Sequence, residues 1–159
     1  MLRDKEIVLT IDGLNKLEKE LEYLKTVRRR EVAQRIKQAI EFGDITDNSE
    51  YEDAKNEQGF IEGRILTIEK MLRNARVLND NDVQTDQVGL GSRVLLKDLE
   101  SGEKLNYTIV SSAEADPAED RISNESPVGQ ALLGKKAGEE VEITVPAGIL
   151  RYRVEKINK

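Results

Sequence analysis

Gly43-Asp44-Ile45-Thr46-Asp47-Asn48-Ser49-Glu50-Tyr51 lies between two long apolar stripes of helical spacing, and reading it as a hairpin turn decides the first half of the fold. Upstream, Leu14, Leu17, Leu21 and Leu24 recur every three or four residues, and the stripe resumes at Val32, Ile36 and Ile40. No Gly or Pro interrupts residues 14–42. This predicts one helix of about 30 residues, about 45 Å long. The eleven-residue step from Leu21 to Val32 breaks the heptad and predicts local unwinding of a supercoil. Thr10 is placed to cap the helix, with Asp12 in its first turn. Downstream, Tyr51, Ala54, Gln58, Ile61, Ile65, Ile68, Leu72 and Ala75 alternate spacings of three and four, a seam with one polar position. Gly59 and Gly63 each weaken that helix by about 1 kcal/mol relative to Ala, and are expected to let the first helix approach closely. A loop of a few residues forces the helices antiparallel. Residues 1–78 are therefore expected to form an antiparallel coiled-coil hairpin with an acidic tip at 43–50.

From Val77 the period changes. Val94–Leu96, Leu105–Val110, Val141–Val145 and Tyr152–Ile157 read as strands, with turn signals at Ser101-Gly102 and Ala147-Gly148. Ser126-Pro127 followed by Val128 to Gly134 predicts one short helix with Pro in its first turn and Gly at its end. The fold class is α+β: a helical hairpin, a linker at residues 79–82, and a small, mainly antiparallel β domain with one short helix over 83–159.

The chain contains no Cys, His or Trp. That excludes disulfides, thiolate or His-ligated zinc, and Ser-His or Cys-His nucleophiles. Any metal chemistry must use oxygen ligands and a hard cation such as magnesium. No apolar run approaches the roughly 20 residues needed to span a bilayer, and the first residues lack a signal-peptide pattern. A cytoplasmic monomer with no membrane partner is expected. The net charge of −6 hides a polarity. Lys25, Arg28, Arg29, Arg30, Arg35 and Lys37 form a basic collar, and the acids from Glu41 to Glu57 crowd the tip just beyond it.

The tip has three readings. Asp47-Asn48-Ser49-Glu50 has capping-box spacing, and Asp44 could cap an earlier turn. Alternatively, Asp44 and Asp47 present two carboxylates that supply part of a magnesium shell. An exposed tip has no pocket, so another macromolecule's active site must then complete it. Thirdly, the acids could meet a basic partner. The collar likewise reads as solvated flank residues paired with Glu, or as phosphate contacts, with no interleaved aromatics for base stacking.

Residues 43–65, GDITDNSEYEDAKNEQGFIEGRI, closely resemble the bacterial Gre family of transcript cleavage factors, most like its GreA members. So do residues 122–143, ISNESPVGQALLGKKAGEEVEI, and the opening residues 9–24, LTIDGLNKLEKELEYL. The resemblance runs through nearly the whole chain in order. It implies an N-terminal coiled coil and an FKBP-like C-terminal domain. It further implies binding to bacterial RNA polymerase, with the coiled coil inserted in the secondary channel beside the nascent RNA 3′ end of a backtracked complex. Asp44 and Asp47 would share Mg2+ with the polymerase active site, the protein binding no cofactor alone. Asp47 stands where the family usually has Glu, one methylene longer. Glu50 matches an acid that supports the turn. Ser126 and Pro127 map to the polymerase-docking loop, and Arg28, Arg29 and Arg30 to the RNA-proximal patch. The implied role is stimulation of the polymerase's own RNA cleavage, not catalysis by the factor alone. An inhibitor that occupies the channel without cleavage, or a coiled-coil adaptor, remain the alternatives.

Overall fold

The computed structural model describes residues 6–41 and 49–159. These fall into two compact units: Leu14–Asn74, and Ala75–Lys159 together with the described residues up to Gly13.

The first unit is a helical hairpin. Helix α1 (Ile11–Tyr23) runs through a π turn (Leu24–Arg28) into α2 (Arg29–Glu41), and α3 (Ser49–Arg73) returns alongside. Val32, Ile61 and Ile65 form its buried centre, with Leu21, Leu24 and Ile36 packed against them. Leu17, Ala54 and Ile68 are also buried, so the predicted stripes face inward over most of their length; Ile40, read as the end of the first stripe, is instead exposed. The π turn is where the heptad broke. Leu24 to Val32 is eight residues, a heptad plus one. In the π turn the N–H of Arg29 donates to the carbonyl of Leu24, five residues back, which absorbs the extra residue and keeps both side chains on the seam. The break predicted as unwinding of a supercoil is thus taken up inside one helix.

Two expectations fail here. Gly59 and Gly63 lie on the exposed face, with no atom within 4 Å of where a Cβ would stand, so they admit no close approach. The second stripe also ends early. The helix stops at Arg73, and Ala75 opens strand β2 (Ala75–Leu78), which pairs in parallel with β1 (Ile7–Thr10). Helical spacing alone cannot register the pull of a strand partner 68 residues away in sequence.

The second unit holds this pair and a five-stranded sheet. Its strands are β3 (Arg93–Asp98), β4 (Lys104–Val110), β5 (Arg121–Ser123), β6 (Glu140–Val145) and β7 (Gly148–Asn158), in the order β5-β4-β3-β7-β6. All neighbours are antiparallel except β4 and β5. Alternation puts Val94 and Leu96 of β3, and Val141 and Ile143 of β6, into one core. Strand β7 shifts register opposite Leu95 and Leu96, leaving Glu155 unpaired. That bulge changes the parity, so Val154 and Ile157, three apart, both face inward. Helix α4 (Pro127–Leu132) closes the core with the fully buried Leu132.

Residues 79–82, read as a linker, include a short 3-10 turn in which the N–H of Asn79 donates to Asp82 Oδ2 at 3.0 Å.

Candidate functional site

Asp44 and Asp47, the proposed metal carboxylates, lie outside the described residues, as does the start of the capping-box motif. What is described is their setting. Glu41 ends one arm and Ser49 begins the other. Glu50 and Glu52 occupy the first turn of α3, where acids complement the positive end of the helix dipole. Among the described residues, no group of three or more acids is placed to hold a metal ion.

The basic collar is largely consumed in holding the arms together. Arg29 makes a two-pronged contact with Glu62, with both N···O distances 2.8 Å. Nearer the tip, Arg28 and Arg35 both reach Glu57, and Arg28 also bonds Glu31 at 2.8 Å. Lys25 approaches Glu69 at 3.7 Å, and Arg64 of α3 grips Glu20 of α1 at 2.8 Å. Early residues of the first arm thus meet late residues of the second, as an antiparallel pair requires. The hydrogen bond from Arg29 holds the Glu62 carboxyl below its ordinary range, and Glu62 in turn raises Arg29. Arg28 and Arg29 are therefore charge-compensated. Arg30 and Lys37 are exposed and make no ion pair among the described residues. They lie seven residues apart, two helical turns, on one face of α2. Of the three predicted arginines, only Arg30 offers an uncommitted charge.

Ser126 and Pro127 begin α4. The Ser126 hydroxyl accepts from the N–H of Gly129 at 3.1 Å and donates to the carbonyl of Ser123 at 2.7 Å, so it is an N-cap and also a strut to β5. Gly129 is buried against the same carbonyl, and a Cβ there would overlap it. Pro127 occupies the first helical position and is exposed. Beside this loop, the hydroxyls of Ser112 and Ser123 lie 2.6 Å apart, and Ser112 donates to Glu125 at 3.1 Å.

Sequence reasoning missed a polar cluster centred on Glu114. The Glu114 carboxylate, 3% exposed, accepts from the Thr10 N–H at 2.8 Å and the Thr10 hydroxyl at 2.6 Å. Arg121 closes the group, with Nη2 2.7 Å from Glu114 and 3.2 Å from the Thr10 hydroxyl. Thr10 itself caps α1, accepting from the Gly13 N–H at 3.0 Å, as the sequence predicts. In a capping box the residue three positions on supplies the returning carboxylate. That position is Gly13, and the carboxylate arrives instead from more than a hundred residues away. A Cβ at Gly13 would overlap the Glu114 carboxyl. The signal available in sequence was a helix cap followed by Gly where Glu or Gln is favoured.

Comparison with known proteins places these features in a family. The domain described as "Transcription elongation factor, N-terminal" matches residues 7–77, and "Transcription elongation factor, GreA/GreB, C-term" matches residues 83–159. Among curated relatives, Transcription elongation factor GreA of Acetivibrio thermocellus is 58% identical over 159 residues, covering all of both chains. Its namesake from Syntrophomonas wolfei is 57% identical, again over all of both chains. Among solved structures, GreA factor homolog 1 of Thermus thermophilus is 36% identical over 98% of this chain and all of that one, with a TM-score of 0.46. With both halves matched in order, and full-length relatives above half identity, this chain belongs to the GreA/GreB family of transcription elongation factors.

Proposed function

We propose that this protein binds bacterial RNA polymerase, inserts its hairpin into the secondary channel, and stimulates the polymerase's own cleavage of backtracked RNA. The observation that carries the reading is the hairpin itself. The 25 residues of α3 make an arm about 37 Å long, and the sequence that joins it to α2 carries Asp44 and Asp47. Asp44 and Asp47 would be the functional carboxylates. Two carboxylates suit a hard cation but cannot fill the octahedral shell of magnesium, so the polymerase and water must supply the remaining ligands. The ion, when held there, would lower the pKa of bound water and steady the leaving oxygen. The chain's own part is to deliver and orient the carboxylates, and it is not expected to cleave RNA alone. The β unit, FKBP-like in this reading, would dock through Ser126 and Pro127, and Arg30 with Lys37 would face phosphate near the tip.

The test uses a stalled, backtracked elongation complex with magnesium. Addition of the protein is expected to shorten the RNA from its 3′ end. Asp44→Asn and Asp47→Asn should abolish shortening while binding persists. Binding without shortening by the unmodified protein would mark it as an inhibitor, a reading that Asp47 in the place of the longer Glu makes specific. No binding would leave only a coiled-coil adaptor.

A further inference from the structure

We infer that Glu114 is a positioning residue for transcript cleavage, linking the root of the hairpin's first helix to the loop carrying Ser126 and Pro127; this rests on the function proposed above. Glu114 ends a 3-10 turn, Ser112–Glu114. On one side of the turn, the Glu114 carboxylate holds both the N–H and the hydroxyl of Thr10. On the other, Ser112 bonds Ser123 and Glu125, and Ser123 in turn receives the Ser126 hydroxyl and the Glu125 N–H. Arg121, on the strand that leads to Ser123, clamps Glu114 and Thr10 together. The path from loop to helix cap thus alternates hydrogen bonds with short covalent links, through the Ser112–Glu114 turn and through Ser123, all within one compact unit.

A helix cap needs no such path. Ser or Thr at the cap with Glu or Gln three residues on is a self-contained arrangement. Here the third residue is Gly13, whose missing Cβ makes room for Glu114. The cap has been made dependent on the β unit. The same turn therefore serves the loop that would dock and the helix that would carry the carboxylates inward. Tip placement is the quantity that cleavage should feel, because small misplacements of reacting groups are costly to rate.

Titration of the full-length protein against a backtracked elongation complex separates this role from a stabilising one. Partial unfolding leaves fewer active molecules and raises the concentration needed for half-maximal cleavage, but the plateau survives at saturation. For Glu114→Ala the plateau rate is expected to fall about tenfold, with the half-saturating concentration changed less than about threefold. The gentler Ser112→Ala, at an exposed pair, should move the plateau in the same direction. The double variant Gly13→Glu with Glu114→Ala supplies a local capping carboxylate in the vacated space. Slow amide exchange at Thr10 should return, while the plateau stays low. A native plateau in Glu114→Ala, or a plateau restored by the local cap, would overturn the inference. Failure of the unmodified protein to stimulate cleavage would instead sink the function on which it rests.

Discussion

Arg29 and Glu62 face each other across the hairpin through two parallel N–H···O contacts, both 2.8 Å long. Their pairing changes the meaning of the basic collar. A run of like charges that suggests nucleic acid in sequence turns out, for Arg28, Arg29 and Arg35, to be stitching between the arms. Arg30 and Lys37 keep charges that no described acid neutralises.

The Arg29–Glu62 pair gives the hairpin a pH dependence of known sign. The hydrogen bond from Arg29 lowers the Glu62 pKa in the folded state. The pair therefore stabilises above the ordinary carboxylate range, and that contribution disappears as the pH falls through the lowered value. Both side chains are nearly half exposed, so the effect is small and screened by salt. Thermal melts of the native protein and Glu62→Gln, followed by helical circular dichroism from about pH 6 to about pH 3, should differ at the neutral end and converge at the acid end. A gap that stays constant with pH would contradict the assignment.

Ile65 and Phe60 are both large apolar residues of α3, yet their substitution should have opposite consequences. Ile65 is 2% exposed in the hairpin centre, whereas Phe60 is 75% exposed. Ile65→Ala is expected to cost about 2–5 kcal/mol through lost burial and a residual cavity. Phe60→Ala should stay within about 0.5 kcal/mol. Urea unfolding monitored by helical signal measures both. Equal losses would mean that Phe60 is covered in solution.

The π turn predicts an asymmetric tolerance of deletion. Removing Thr26 from Leu24–Arg28 shortens the Leu24–Val32 step to a plain heptad, which an uninterrupted α-helix can follow. This variant should fold with native helical content. Removing the exposed Gln34 from regular α2 turns every later side chain by about 100° and takes Ile36 off the seam. Its melting midpoint should drop sharply. Similar behaviour of the two deletions would remove the π turn from its role as register keeper.

These contrasts show what was legible in the sequence. Period 3.6 against period 2 separated hairpin from sheet, and the turn residues located most strands. The break between Leu21 and Val32 was visible as an arithmetic fault, but its resolution inside one helix depends on the backbone hydrogen bonds of a wider turn. The pairing of β1 with β2 and the reach of Glu114 to Thr10 were hidden, since both join residues far apart in sequence. The exposed placing of Gly59 and Gly63 was hidden for another reason. A glycine has no side chain to report which face it is on, and only the partner's position decides.

Ser126 and Pro127 pose the remaining question, because one residue has a structural duty and the other has little. Ser126→Ala removes the bonds to Gly129 and Ser123, and is expected to cost about 1 kcal/mol as a lost cap. A weaker titration of polymerase by that variant would not distinguish docking from local fraying. Ser126→Thr keeps a hydroxyl for both bonds and adds one methyl group. Pro127 is exposed, and Pro127→Ala should leave thermal stability within about 0.5 kcal/mol. If the loop is the docking contact, both conservative variants should raise the concentration needed for half-maximal cleavage with melting unchanged. A tenfold rise would correspond to about 1.4 kcal/mol of lost binding. If Pro127→Ala titrates as the native protein does, Pro127 is not the contact. If Ser126→Thr is equally silent, Ser126 reduces to a helix cap, and docking must be sought elsewhere on the β unit.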